Sequence, residues 1–170
     1  MISPMHDPVV SNTSPLLNLA IIGQLHLLFQ QFDKVVIPTA VHRELQLETN
    51  LPGTYPLQQA IIDGYLQVSE VKNIHLVQVL QIDLDKGEAE AIALALENNT
   101  KRILLDETDG RLAAKLLNLQ PTGVLGILLR AKKSGKISDI EPLINKLRND
   151  AGFFIAAQLY DQILLEAGEG

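Results

Sequence analysis

Three carboxylates stand within four positions directly after an apolar run. The run is residues 103–105, and the acids are Asp106, Glu107 and Asp109. Like charges this close raise one another's pKa unless solvent or a cation screens them. The segment therefore predicts either a fully solvated loop or a place where a positively charged group binds.

Other polar residues occupy comparable positions. Asn12 follows the first predicted strand, Glu44 lies at the edge of an apolar helix stripe, and Glu88 shares the inward face of its helix. Glu90 and Glu107 are predicted to be solvated. An unpaired buried carboxylate is costly, whereas two or three around Mg²⁺ or Mn²⁺ form the oxygen-rich site that these ions prefer.

The elements that must position these residues follow from the hydrophobic pattern. Short apolar runs alternate with helical patterns, which predicts an α/β fold with a parallel sheet. The predicted strands are 9–11, 34–37, 66–69, 102–105 and 153–155. Helices are predicted after Ser14 and over 24–31, 39–48, 57–63, 86–97, 111–118, 124–133, 138–149 and 158–167. In such sheets, sites form beyond the carboxyl ends of strands where connections diverge.

Bulk properties restrict the setting. The 170 residues are 46% hydrophobic, which fits one globular domain over residues 1–170. Fourteen basic against twenty acidic residues give a net charge of −6, so RNA could bind only at a local patch or through a metal. There is no cysteine, which excludes disulfides and thiolate zinc sites. The start, MISPMHDP, lacks the features of a signal peptide, and the longest apolar segment is too polar to span a membrane, so we expect a cytoplasmic protein.

Five segments in order resemble the PIN-domain family: VVSNTSPLLNLA, VVIPTAVHREL, LDKGEAEAIALA, ILLDETDGRLAAKLL and PTGVLGILLRAKKSGKI. The resemblance extends from about residue 9 to 167. It implies a three-layer α/β/α sandwich with a mainly parallel sheet, and a metal-dependent ribonuclease site like that of the toxins in toxin–antitoxin pairs. It also implies Glu44, Glu88 and Asp106 as catalytic ligands of Mg²⁺ or Mn²⁺, with Asn12 where the family has an aspartate. The resemblance also allows Asp109 as a further or substitute ligand.

Asn12 leaves the catalytic interpretation open. An amide oxygen can ligate a metal but adds no negative charge. The chain is therefore either an active enzyme, an impaired copy that binds an antitoxin or RNA, or a variant selected because the active form harms its host. For partners we expect RNA, a small antitoxin and a possible homodimer, with leucines of the first two helices either exposed for a partner or buried in the core.

Each candidate also has a simpler explanation. Glu88 could complete a capping box begun by Asp85, and the acids after residue 105 could be solvated. Arg111 is expected to contact RNA phosphates or to neutralise an acid in the metal-free protein. Lys132 and Lys133 are expected either to contact RNA or to offset the dipole of the helix that they end.

Overall fold

The computed structural model describes residues 8–170. Residues 1–7, in which the sequence predicts no signal peptide, lie outside the described part. The strands are β1 (Val9–Ser11), β2 (Val35–Pro38), β3 (Leu66–Ser69), β4 (Arg102–Leu104) and β5 (Gln120–Thr122). The helices are α1 (Thr13–Ile21), α2 (His26–Gln31), α3 (Thr39–Glu44), α4 (Thr54–Ile62), α5 (Ile74–Leu80), α6 (Lys86–Glu97), α7 (Thr108–Leu116), α8 (Val124–Lys133), α9 (Glu141–Asp150) and α10 (Ala157–Glu166).

All five strands form one parallel sheet in the order β3-β2-β1-β4-β5. From β1 the chain moves outward through β2 and β3, then returns to the other side of β1 to add β4 and β5. The connections therefore diverge between β1 and β4, and in open parallel sheets ligands bind beyond the carboxyl ends of the strands at such a point. The predicted α/β fold with a parallel sheet is confirmed.

Helices cover both faces of the sheet. Leu104 packs into a large apolar core with α1, α2, α8 and α9, whereas Ile103 and Leu105 pack against α6 and α7. Successive side chains of a strand point to opposite faces, so a strand that is buried on both sides requires a continuous apolar run. The run over residues 103–105 is thus explained by a three-layer sandwich.

The structure corrects two predictions about the strands. Strand β5 was not predicted, because three residues with Pro121 in the middle carry little strand signal; proline is tolerated there because β5 is an edge strand. Residues 153–155 do not form a strand, and the side chain of Phe154 is 86% exposed. The leucines of the first two helices follow the core alternative: Leu16, Leu25, Leu27 and Leu28 are buried, and Leu17 is partly buried against them.

An apolar groove of about 420 Å³ lies between α1, α2 and α4 and includes Phe29 and Tyr55. Within residues 8–170, no helix is long and apolar enough to cross a membrane.

Candidate functional site

Asn12 lies at the carboxyl end of β1, beside β4. Its backbone N–H donates to Leu104 O at 3.0 Å, which extends the β1–β4 pairing by one residue. Asn12 is the N-cap of α1, but its side chain accepts no capping hydrogen bond. The side chain is 4% exposed, and Oδ1 is buried without a hydrogen-bond partner. An asparagine at the N-cap usually accepts a hydrogen bond from the first turn of its helix. Asn12 Oδ1 accepts none, so this oxygen is available to another ligand.

Glu88 uses its two carboxylate oxygens differently. Oε1 lies 3.4 Å from the backbone N of Asp85 and completes the capping box of α6, in which Glu88 N donates to Asp85 Oδ1 at 2.8 Å. Oε2 is buried and has no partner. Burial, followed by the negative charge of Asp85, raises the pKa of Glu88 from 4.5 to about 7. The predicted capping box is therefore present, and one oxygen of Glu88 remains unused.

Asp106 follows β4 and has the same division of roles. Its Oδ1 accepts a hydrogen bond from Val124 N at 2.9 Å, at the start of α8, while Oδ2 is buried without a partner. Burial raises the pKa of Asp106 to about 6, against the opposing effects of Val124 N–H and the positive charge of Arg111. Arg111 Nη1 also donates to Leu105 O at 2.9 Å. Arg111 thus partly neutralises Asp106, one of the two roles expected for it.

Glu44 reaches the same region from the end of α3. Residue 44 is exposed, and its Oε2 accepts a hydrogen bond from Thr13 Oγ1 at 2.5 Å. Thr13 is the first residue of α1 and directly follows Asn12. The carboxylate of Glu44 also lies against Gly87: a Cβ at position 87 would be only 2.6 Å from Glu44 Oε1.

Three glycines bring the acids close to neighbouring backbone. Besides Gly87 against Glu44, a Cβ at Gly110 would lie 2.4 Å from Glu88 Oε2, and a Cβ at Gly123 would lie 2.4 Å from Asp106 Oδ1. Real Cβ atoms do not approach an oxygen this closely, so each carboxylate occupies the space that a larger residue would fill. These contacts join α3 to α6, α6 to α7, and the β4 end to α8.

Unpartnered oxygens are concentrated here. Among residues 8–170, four buried side-chain oxygens lack a hydrogen-bond partner, and three of them belong to Asn12, Glu88 and Asp106; the fourth is Gln31 Oε1 in α2. In this part of the chain, no three acids or histidines are gathered closely enough to form a complete metal site as they stand. The donor chemistry nevertheless fits Mg²⁺ or Mn²⁺, because orphaned carboxylate and amide oxygens are the ligands that these ions take.

Asp109 lies in the first turn of α7 and is exposed. It borders a pocket of about 270 Å³ that is lined by Asp83, Asp85, Glu88, Glu107, Thr108 and Asp109. Glu107 is exposed, as predicted. Asp109 is therefore close to Glu88 but on the solvent side of it, and its role as a ligand stays a prediction.

The predicted RNA-contacting lysines lie at the far end of α8. The helix begins beside Asp106 and is ten residues long, so Lys132 and Lys133 are about 12–15 Å from its start. Lys132 Nζ forms ion pairs with Asp139 at 3.7 Å and Glu169 at 3.3 Å, which favours a structural role for it. Lys133 is exposed.

Sequence reasoning missed four residues that shape the site. Gly87, Gly110 and Gly123 each occur in a segment that carries the family resemblance, but nothing local indicates which carboxylate they face. Glu90 was predicted to be solvated, and this is wrong: it is 9% exposed, and its Oε1 accepts from Ala40 N at 3.1 Å.

The fold and the site define an α/β sandwich with oxygen donors at its topological switch point. Residues 8–169 match the sequence model of the PIN domain, and the chain belongs to the PIN-domain family. Membership of this family indicates a nuclease-like fold in general. PIN domains generally depend on divalent metals. No curated protein and no solved structure matches the chain.

Proposed function

We propose that this protein, as one PIN-like domain, is a divalent-metal-dependent ribonuclease of the toxin type. The observation that carries the proposal is the set of buried, unpartnered oxygens on Asn12, Glu88 and Asp106. They belong to three elements that meet at the switch point, and each is an acceptor that only a donor or a cation can satisfy. A structural role alone does not require three buried acceptors to be left without hydrogen-bond partners.

Within this proposal, Asn12 Oδ1, Glu88 Oε2, Asp106 Oδ2 and the carboxylate of Glu44 would hold Mg²⁺ or Mn²⁺, with Asp109 as a further ligand. A bound ion of this class activates water and stabilises the charged phosphate during in-line displacement. The chain's own contribution is to keep these oxygens free of internal partners. Because burial raises the pKa values of Glu88 and Asp106, part of these carboxyls keeps its proton near neutral pH in the metal-free protein, and a cation that binds would displace those protons.

Substrate contacts must overcome the net charge of −6. Arg111 is the best candidate for a phosphate contact, because it lies beside Asp106 and its positive charge lowers the pKa of that carboxyl. Lys133 is exposed and could extend the path of an RNA strand along α8. Lys132, predicted from the sequence as a third contact, is better assigned to its ion pairs with Asp139 and Glu169.

The alternative function is that of a catalytically impaired binding module for an antitoxin or RNA. The observation in its favour is Asn12, which supplies an oxygen without charge to the ligand set. PIN domains generally bind RNA and often pair with antitoxins. For this chain, a small antitoxin, a homodimer and a cytoplasmic location are proposals that hold under either function.

The deciding experiment measures cleavage of single-stranded and structured RNA in Mn²⁺, in Mg²⁺ and in chelator. It compares the protein as written with Asn12→Asp and Asp106→Asn. Asp161→Asn is the matched control, because it makes the same chemical change at an exposed position of α10. We expect metal-dependent cleavage by the protein as written and by the control, and none by Asp106→Asn.

The outcomes separate the two functions. Cleavage that appears only in Asn12→Asp would mean that the site is correct but that this chain is an impaired copy. If no variant cleaves RNA and none binds Mn²⁺, the nuclease proposal is refuted. Asp106 would then serve only to accept the hydrogen bond from the start of α8, and Glu107 and Asp109 would be solvated loop residues.

A further inference from the structure

Glu90 is a buried carboxylate that the proposed metal site does not use. It lies on α6 two residues after Glu88, on a different side of the helix, and is 9% exposed. Its Oε1 accepts a hydrogen bond from the backbone N–H of Ala40 at 3.1 Å. The bond joins residues that are fifty positions apart, so it fixes two separate elements, α6 and α3.

Helix α3 needs this bond because it has no cap of its own. Its N-cap residue is Pro38, and no side chain of the helix start accepts from the first-turn amides. The first four N–H groups of a helix lack intrahelical partners, and an acid near a helix start is also favoured by the dipole. Glu90 supplies both the missing acceptor and the negative charge from the neighbouring helix.

The surroundings allow a carboxylate to be held there. Beside Glu90 is a polar pocket of about 360 Å³ whose charged lining residues are Arg43, Glu70, Lys86 and Glu90. Two of these residues are cations and two are acids, so the charged residues that line this pocket sum to zero. Glu90 therefore holds its place in the fold without a metal.

The same short helix carries Glu44. Four residues, about 6 Å of helix, separate Ala40 from Glu44. At that end, the carboxylate of Glu44 lies against Gly87 of α6, one residue before Glu88. Helix α3 is therefore held against α6 at its start by Glu90 and at its end by the contact of Glu44 with Gly87.

From this geometry we propose that Glu90 is a positioning residue, which sets the place of Glu44 relative to Glu88 and thereby the affinity of the site for a divalent metal. The inference rests on the proposed metal site. It assigns Glu90 no contact with metal or substrate.

The test measures Mn²⁺ affinity by calorimetry in Glu90→Met and Glu90→Gln. Methionine keeps the length of the side chain and removes the acceptor, whereas glutamine keeps an acceptor for Ala40 N–H. The matched control is Glu97→Met, because Glu97 is also on α6 and its Oε1 also accepts from backbone amides, those of Lys72 and Asn73. Those amides precede α5, which carries none of the proposed ligands.

We expect Glu90→Met to weaken Mn²⁺ binding about tenfold or more, the usual effect of losing an outer-shell partner. Glu97→Met should lower stability to a similar degree but leave the affinity unchanged. Glu90→Gln should stay within about threefold of the parent. Since the effect passes through Glu44, Glu90→Met should cost little further affinity in a Glu44→Gln background.

Three results would overturn the inference. The first is unchanged Mn²⁺ affinity in Glu90→Met while the parent binds Mn²⁺, which leaves the proposed function intact. The second is an equal loss in Glu97→Met, because a general loss of stability would then explain both. The third result applies if Glu90→Met does not fold. It is a tenfold loss of Mn²⁺ affinity in a folded Glu90→Gln whose Ala40 amide is still protected from hydrogen exchange, because the hydrogen bond would then be intact and could not explain the loss. Failure of the parent itself to bind Mn²⁺ would refute the proposed function and this inference with it.

Discussion

Replacing Glu88 with glutamine should make the metal-free protein more stable at alkaline pH. Burial and the charge of Asp85 raise the pKa of Glu88 from 4.5 to about 7. The folded protein thus binds this proton more tightly than the unfolded chain does, and stability falls as the pH rises from 4.5 through about 7. Glutamine does not titrate, and it can still complete the capping box of α6, so the variant should escape this loss.

The magnitude follows from the pKa. A shift of this size corresponds to about 3 kcal/mol once the carboxylate is ionised. The pocket beside Glu88 opens to solvent near Glu107 and Asp109, which screens part of the charge. We therefore expect Glu88→Gln to raise the free energy of unfolding by about 1–3 kcal/mol at pH 8, and by less than about 1 kcal/mol at pH 5.

Urea unfolding in chelator, followed by far-ultraviolet circular dichroism at both pH values, measures the difference. The exposed Asp161→Asn variant should show no such dependence on pH. Equal free energies of unfolding for the parent and Glu88→Gln at pH 8 would refute the reasoning, since an ionised, unpartnered Glu88 would then carry no cost. Saturating Mn²⁺ should stabilise the parent by mass action and should stabilise Glu88→Gln much less.

Three further predictions concern the site and its support. Gly110→Ala places a Cβ within 2.4 Å of Glu88 Oε2, so we expect Mn²⁺ affinity to fall about tenfold in calorimetry. Asp106→Asn removes a carboxyl whose pKa is raised to about 6, so metal-free stability should increase relative to the parent above that pH in urea unfolding, although RNA cleavage is lost. Glu169→Ala removes acceptors for Ile140 N (2.8 Å) and Glu141 N (3.2 Å), and should lower stability by about 1–2 kcal/mol with Mn²⁺ affinity unchanged.

The sequence predicted those elements of the fold whose pattern is strong on its own. Helix α8 has the predicted bounds, 124–133, and β1 and β3 also match residue for residue. Strand β5 could not be predicted, because three residues with a central proline become a strand only through pairing with β4. Residues 153–155 are apolar enough for a strand, but they pair with neither edge strand of the sheet, β3 or β5, and periodicity alone does not show this.

The candidate site was predicted only where the evidence is local. Residues that follow a strand directly, such as Asn12 and Asp106, can be placed at the carboxyl edge of a parallel sheet from the sequence alone. The roles of Gly110 and Glu90 depend on residues distant in the sequence. Gly110 faces the carboxylate of Glu88, about twenty residues earlier, and Glu90 accepts from the backbone N–H of Ala40, fifty residues earlier. Hydrophobic periodicity carries no such information, so the sequence predicts a solvated Glu90 on a helix that the structure buries from residue 87 to 95.

The residue at position 12 determines how many negative charges lie together at the carboxyl ends of β1 and β4 when no metal is bound. Asn12 and Asp106 follow neighbouring strands, so an aspartate at position 12 would add a like charge beside carboxyls whose pKa values are already raised. We expect Asn12→Asp to lower metal-free stability at pH 8 by about 1 kcal/mol and to bind Mn²⁺ about tenfold more tightly, because the fourth carboxylate favours the cation.

The order of stability should therefore reverse with the metal. In chelator the parent should unfold at a higher urea concentration than Asn12→Asp, and in saturating Mn²⁺ at a lower one. A variant that matches the parent in both conditions would show that position 12 does not face the other acids. The asparagine then could not be the reason for any loss of activity, and the impaired-copy interpretation would lose its only structural support.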